Sequence, residues 1–129
     1  MTAHGAFHWN ELMTRDVKKA KDFYKKTLGW TYDDMPMGGM YGTYSIAKVG
    51  DQMVGGIFEM NGPMFDGQPE SWFTYIAVDD LDKRLKLLKD SGGKVLRDPW
   101  DVGGVGRMAI VQIPGGATQG WMLPAPGSM

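Results

Sequence analysis

The hydrophobic positions of the chain change from the period of a strand to the period of a helix near the N-terminus. Residues from Phe7 to Leu12 alternate in character, which predicts a strand. From Asp16 to Gly29 the apolar residues recur at helical spacing, and these two end residues are typical of an N-cap and a C-cap. The apolar stripe of this predicted helix consists of Val17, Ala20, Phe23, Tyr24 and Leu28.

Three strand-like segments follow the helix. They run from Trp30 to Asp34, from Tyr41 to Val49 and from Gln52 to Met60. Gly50-Asp51 forms a tight turn between the last two. The predicted order is therefore β-α-β-β-β.

The same order is predicted again in the second half of the chain. Its predicted elements are a strand from Trp72 to Val78, a helix capped by Asp79 or Asp80 and closed at Gly92-Gly93, and strands from Lys94 to Arg97, Arg107 to Ile113 and Thr118 to Leu123.

The two halves are also related residue by residue. Residues from Trp9 to Glu59 align with residues from Phe73 to Leu123 at a constant offset of 64, without a gap. Identical pairs include Asp16 with Asp80, Lys19 with Lys83, Gly29 with Gly93 and Gly56 with Gly120. We interpret them as two copies of one supersecondary unit. The prediction is an α+β fold in a single domain over 1–129, with copies at about 6–60 and 71–123 and a linker at 61–70.

Composition and charge exclude several classes of function. The formal net charge is −1, so the chain lacks the basic surface that nucleic acid or an anionic membrane requires. There is no apolar run of spanning length, and the N-terminal residues do not read as a signal peptide. The absence of cysteine excludes disulfides and thiolate chemistry. We expect a cytoplasmic protein with no nucleic-acid or membrane partner.

Glycine, at 19 residues, is frequent and concentrates between the apolar segments. Two glycine-rich segments, 36–40 and 99–104, occupy equivalent places between the second and third strands of each copy. Neither precedes a helix, so neither is a phosphate-binding loop. They are predicted to be mobile loops, with Met37, Met40 and Trp100 able to close over a ligand.

The helix sequence DVKKAKDFYKKTLGW, followed by a second copy of the unit, resembles the vicinal oxygen chelate superfamily. This superfamily includes glyoxalase I, bleomycin resistance proteins and extradiol dioxygenases. The resemblance covers the chain from Phe7 to Leu123 and implies curved mixed sheets around a central cleft. It also implies a divalent metal held by side chains of the first and last strands of both copies.

The resemblance places the four metal-ligand positions at Trp9, Phe73, Gly56 and Gly120, or one residue earlier on the last strands, at Gly55 and Gln119. Indole, phenyl and glycine have no atom that coordinates a metal ion. We therefore expect no metal and no other cofactor.

Aromatic rings and glycines at these positions predict a slot for a flat, hydrophobic or aromatic small molecule. Further lining is expected from Tyr44, Tyr75, Met108 and Trp121. The alternative is that these rings fill a core from which a site has been lost.

Glu11 is the ionisable residue predicted on the same strand face as Trp9, and its counterpart in the second copy is Tyr75. A carboxylate among apolar rings has a raised pKa and suits general acid or base catalysis. Alternatively, Glu11 lies at the rim, where it pairs with Arg107 or remains solvated.

Two functions remain open from the sequence. One is a metal-free module that binds a small aromatic molecule. The other is a glyoxalase-like lyase or isomerase that uses Glu11 and Tyr75, or a metal held by non-standard ligands. A homodimer is expected, with the cleft formed either within one chain or between two.

Overall fold

The computed structural model describes residues 3–36 and 43–126, apart from the side chain of Met64. Within these ranges the elements are β1 (Phe7–Thr14), α1 (Val17–Leu28), β2 (Thr31–Pro36), β3 (Thr43–Val49), β4 (Gln52–Glu59), a 3-10 turn (Pro63–Phe65), β5 (Ser71–Ala77), α2 (Leu81–Asp90), β6 (Lys94–Val102), β7 (Gly106–Gln112) and β8 (Thr118–Pro124). The α+β class and the two βαβββ copies are confirmed. The predicted loop residues 37–40 and the predicted strand start at 41–42 lie outside the described residues.

The chain forms two compact units. The first unit is Trp9–Phe73, and its strands are ordered β2-β3-β4-β1. The second unit combines 1–8 with 74–129, and its strands are ordered β6-β7-β8-β5. In each unit the first strand of the copy, β1 or β5, pairs in parallel with the last strand, β4 or β8. The other strand pairs are antiparallel. Each four-stranded sheet is therefore mixed, as predicted.

The second unit includes residues that precede its own sequence copy. The Gly5 amide donates to the Ala77 carbonyl at 2.8 Å, and the Ala77 amide donates to the Ala6 carbonyl at 2.9 Å. His4 lies beside Asp79, whose backbone amide donates to His4 Nδ1 at 3.1 Å. The N-terminal segment is thereby tied to β5 and the turn after it.

Both helices begin at the predicted caps. Asp16 Oδ1 accepts from the Lys19 amide at 3.0 Å, and Asp80 Oδ1 accepts from the Lys83 amide at 3.1 Å. Gly29, with φ of 76°, ends α1 in the left-handed conformation that glycine adopts without strain. The cap residues thus set the length of each helix locally.

The two helices pack differently. On α2, Leu81, Leu85 and Leu88 are buried against Ala109 and Val111 of β7. On α1 no residue is buried, although the helix carries the apolar stripe that the sequence predicts. The second unit therefore has an aliphatic core under its helix, whereas the first does not.

An aromatic cluster takes the place of that core beside α1. Tyr24 stacks on Trp30 with ring centroids 4.7 Å apart. Trp72 packs edge-on against both rings and donates from its indole nitrogen to the Tyr24 hydroxyl at 3.0 Å. Phe23 adjoins the cluster and remains 57% exposed.

β6 is longer than predicted. The sequence predicted a strand ending at Arg97 and a mobile loop over 99–104, but β6 continues to Val102. Its pairing with β7 shifts twice, between Val95 and Arg97 and between Arg97 and Trp100. These irregularities take up extra residues around Pro99, since proline donates no ladder hydrogen bond. The loop prediction for 99–102 is therefore wrong.

The difference between the helices predicts different sensitivities to truncation at equivalent positions. Leu81→Ala removes a 1% exposed side chain and should cost about 2–5 kcal/mol of unfolding free energy. Val17→Ala, its counterpart on α1, should cost less than half as much, because Val17 is only partly buried. Urea unfolding followed by far-UV circular dichroism measures both. Equal losses would contradict the packing described for α1.

Candidate functional site

Each sheet has one face covered by its helix and one helix-free face. Side chains directly opposite each other on neighbouring strands project to the same face. On the helix-free face of the first unit, the pairs Glu11 with Gly56, Gly56 with Ile46, and Ile46 with Asp33 form one continuous row. We call this the Glu11 row.

The second unit has the corresponding row. Tyr75 lies opposite Gly120, Gly120 opposite Ile110, and Ile110 opposite Arg97. Each member of this Tyr75 row is 64 residues from its counterpart in the Glu11 row. Both rows have glycine and isoleucine in the middle. The residues at the ends differ, with Glu11 and Asp33 in the first unit and Tyr75 and Arg97 in the second.

A second row adjoins the Tyr75 row. Trp100 lies opposite Met108, Met108 opposite Met122, and Met122 opposite Ala77. We call it the Met108 row. The helix-free face of the second unit thus contains Tyr75, Met108, Met122, Trp100 and Gly120.

Trp121 does not belong to this face, although the sequence analysis placed it there. It pairs with Ala109 and packs against the leucine cluster under α2. The reason is strand alternation, because adjacent residues such as Gly120 and Trp121 project to opposite faces. The prediction that Trp121 lines the slot is wrong.

The same alternation resolves the position of the last-strand glycines. Gly55 lies opposite Ala47, and Gln119 opposite Val111, and both of these partners are fully buried. Val111 belongs to the cluster under α2. Gly56 and Gly120 are therefore the last-strand residues on the helix-free faces.

In the first unit, three predicted site residues come together. The Tyr44 ring lies directly against Gly56, in the space that a Cβ atom at Gly56 would occupy. The Trp9 indole nitrogen donates to the Tyr44 hydroxyl at 2.7 Å. The chain's own phenol thus fills the position above this glycine.

The remaining predicted residues divide between the units. Glu11 belongs to the first unit and is partly buried opposite Gly56. Tyr75 belongs to the second unit and is 7% exposed, as is Phe73 of the first unit. Met108 and Gly120 lie in the adjacent rows of the second unit.

A divalent metal does not fit the four ligand positions that the family resemblance assigns in this chain. Trp9, Phe73, Gly56 and Gly120 supply no carboxylate, imidazole or thiolate. Over residues 3–36 and 43–126, no three His, Asp or Glu side chains gather in a way that could hold an ion. No reaction step through a metal can be built on these residues.

Two carboxylates with lowered pKa values form structural ion pairs. Hydrogen bonds from Ser45 and Lys21 lower the pKa of Asp34, at 2.6 Å from Ser45 Oγ and 2.9 Å from Lys21 Nζ. Arg84 lowers the pKa of Asp79 to about 2 through two hydrogen bonds. Asp34 ties β2 to α1, and Asp79 ties the turn before α2 to that helix.

Arg97 and Trp100 form a stacked pair that the sequence did not predict. The Arg97 guanidinium lies over the Trp100 ring, 3.7 Å from its centroid. In a regular strand, residues three apart face opposite sides, so the spacing gave no signal. The two irregularities of β6 bring both side chains to the helix-free face.

None of the described helices is long and apolar enough to cross a membrane.

Sequence relatives agree with the fold. The chain is 40% identical over 116 residues to a putative glyoxylase, CFP32, of Mycobacterium tuberculosis, which covers 90% of this chain and 44% of that protein. It is 37% identical over 125 residues to the anthracycline biosynthesis protein DnrV of Streptomyces peucetius, which covers 89% and 46% respectively. The chain thus spans about half the length of these relatives.

Solved structures share the fold at low sequence identity. A methylmalonyl-CoA epimerase from Mycobacterium tuberculosis superposes with a TM-score of 0.66 at 13% identity, over 98% of this chain and 93% of that one. A hypothetical protein, BH1468, from Bacillus halodurans superposes with a TM-score of 0.68 at 13% identity, over 96% and 97%.

The family pattern of the Glyoxalase/Bleomycin resistance protein/Dioxygenase superfamily matches residues 6–118. Together with the two βαβββ copies and the relatives above, this match shows that the chain belongs to that superfamily.

Proposed function

We propose that this chain binds a flat, apolar small molecule on the helix-free face of its second unit, without a metal ion. The observation that carries the proposal is the difference between two equivalent glycines. Tyr44 fills the position above Gly56, whereas the residue equivalent to Tyr44 in the second copy, 64 positions later, is Met108. Methionine is flexible and unbranched, so it adapts to a guest that a hydrogen-bonded phenol excludes.

The surroundings of Gly120 suit such a guest. Trp100 provides aromatic surface and Ile110 aliphatic surface, and both are partly buried; Tyr75 and Met122, 7% and 2% exposed, lie in the same rows. Pockets for small molecules are commonly apolar with a few polar groups that orient the ligand. The Tyr75 hydroxyl and the Arg97 guanidinium are polar groups in the Tyr75 row.

The relatives support a role with small molecules. One is named as an anthracycline biosynthesis protein, and a methylmalonyl-CoA epimerase of the same fold is solved in complex with methylmalonyl-CoA. The chain spans about half the length of the curated relatives, so the relatives' activities support the proposal but do not define the activity of this chain. The cysteine-free composition supports a cytoplasmic setting.

A second candidate function is a lyase or isomerase in which Glu11 of the first unit, or Tyr75 of the second unit, acts as an acid or base. The name glyoxylase, carried by the relative at 40% identity, favours it. The two candidates differ in what Glu11 does. A binding module keeps its ligand affinity in Glu11→Gln, whereas an acid-base enzyme loses about two orders of magnitude in turnover.

Calorimetric titration with 2-naphthamide, an uncharged aromatic probe, tests the proposed site. We expect saturable binding with one site per chain, and a shift of the Trp100 indole resonance in a ¹H–¹⁵N spectrum. Met108→Tyr should weaken binding about tenfold or more, because it introduces the ring that fills the first unit. Tyr44→Phe, the control, should change affinity less than about twofold. No binding, or equal binding by Met108→Tyr, would contradict the proposal.

The filled face of the first unit gives a separate prediction. Gly56→Ala forces the Tyr44 ring to move and should cost roughly 1–3 kcal/mol of stability, with loss of the hydrogen bond from Trp9. Tyr44→Phe keeps the ring in place and should cost about 1 kcal/mol. Urea unfolding and the Trp9 indole N–H shift measure the two effects. An unshifted Trp9 resonance in both variants would show that the contact does not form in solution.

We also propose that a second copy of the chain covers the aromatic surface of α1, giving a homodimer. Phe23 is 57%, Leu28 61% and Trp72 40% exposed, and α1 buries no residue of its own. Each curated relative has about twice the length of the matched segment, so it carries additional chain of similar size. A second copy would supply equivalent covering surface.

Mass measurement by light scattering after gel filtration tests this assembly. The wild type should have twice the monomer mass, and Phe23→Asp should shift it to the monomer, because a carboxylate cannot be buried unpaired in an apolar contact. Leu87→Asp, at the equivalent exposed position of α2, should remain dimeric. A monomeric wild type, or equal dissociation by both variants, would overturn the proposed interface.

A further inference from the structure

We infer that Arg97, held on Trp100, recognises a carboxylate on the ligand, so that the molecule bound by the second unit is a flat aromatic anion. This inference rests on the proposed binding function and specifies the chemical class of its ligand. It assigns Arg97 as the residue that determines the charge specificity of the site.

Arg97 lies at the end of the Tyr75 row, on the strand farthest from Tyr75. Arg97, Ile110, Gly120 and Tyr75 lie opposite one another on four consecutive strands. Neighbouring strands are about 4.8 Å apart, so Arg97 stands about 10 Å from the strand of Gly120. A ligand of two fused rings over Gly120 and Ile110 would therefore place a carboxylate at its end near the guanidinium.

The contact with Trp100 constrains the orientation of the Arg97 guanidinium. Its central carbon lies 3.7 Å from the ring centroid, and at this distance the guanidinium must lie face-on, because an edge-on approach would press an N–H group into the ring. The N–H groups lie along the edge of that plane, where they match the two oxygens of a carboxylate. The indole restricts the side chain, which lowers the entropy lost when the ligand binds.

The other three arginines of the chain already bind groups of the protein itself. Arg84 pairs with Asp79, and Arg107 pairs with both Asp82 and Asp101. Arg15 donates to two backbone carbonyls and lies near Glu70. Over residues 3–36 and 43–126, Arg97 forms no ion pair with a carboxylate.

The Glu11 row of the first unit carries the opposite charge at the position equivalent to Arg97. Asp33 occupies the position equivalent to Arg97 in the Glu11 row, and Lys48 neutralises it at 3.2 Å. The Glu11 row carries carboxylates at both ends, whereas the Tyr75 row carries a phenol and an arginine. The two copies therefore differ in charge at this position. The cation, Arg97, lies in the second unit, which also contains Met108.

A matched pair of probes tests the assignment. Calorimetric titration of 2-naphthoate and 2-naphthamide, which have similar shape and differ in charge, should show about tenfold or stronger binding of the carboxylate by the wild type. Arg97→Met should remove this preference and leave the affinity for 2-naphthamide within about twofold. Arg97→Lys should retain part of the preference, since lysine keeps the positive charge but cannot donate two parallel hydrogen bonds to a carboxylate as a guanidinium does.

Arg107→Met is the control, because it removes the same charge from the neighbouring strand at a residue paired with Asp82 on α2. It should leave the preference for 2-naphthoate intact. If 2-naphthamide binds and 2-naphthoate is not preferred, the charge assignment is wrong and the proposed binding function stands. A preference that survives Arg97→Met places the recognition elsewhere and also overturns it. If neither probe binds, the binding function and the charge assignment both fail.

Discussion

Cross-strand register is the constraint on which the rest of this structure depends. Side chains alternate along a strand, so a shift of one residue exchanges the two faces of a sheet. The pairing of Gly56 with Glu11, and of Gly120 with Tyr75, places a glycine next to a polar side chain on each helix-free face. The same register sends Ala109, Val111 and their neighbours into the core under α2. Core and site are thus two consequences of one pairing pattern.

Within this shared scaffold the two copies have diverged in packing and charge. The second unit stabilises its helix with buried leucines, while the first uses an aromatic cluster around Tyr24 that leaves Phe23 exposed. On the helix-free faces, the first unit closes the space at its glycine with a hydrogen-bonded phenol. The second unit instead combines methionine with an arginine stacked on indole. Binding and specificity are accordingly proposed for the second unit.

The chain belongs to the superfamily, and the four positions that the resemblance assigns to metal ligands hold Trp9, Phe73, Gly56 and Gly120, none of which binds a metal through its side chain. Aromatic rings and glycines offer dispersion contacts and shape in place of coordination, and these favour flat apolar guests over ions. Recognition of charge then requires a separate group. Arg97 has the geometry for it, because stacking leaves the hydrogen-bonding edge of a guanidinium accessible.

The sequence by itself determined both copies, their element order and the cap at Asp16, since these depend on local periodicity and on a constant offset. It left Asp79 and Asp80 open as caps of α2, and the structure selects Asp80. Strand alternation alone also predicts that Trp121 and Gly120 project to opposite faces of the sheet, so Trp121 should not have been predicted to line the slot. Only the tertiary structure decided that Tyr44 covers Gly56, and that two irregularities in β6 bring Arg97 onto Trp100. Such contacts depend on pairing between distant strands and on local breaks in alternation, which no periodic pattern along the chain encodes.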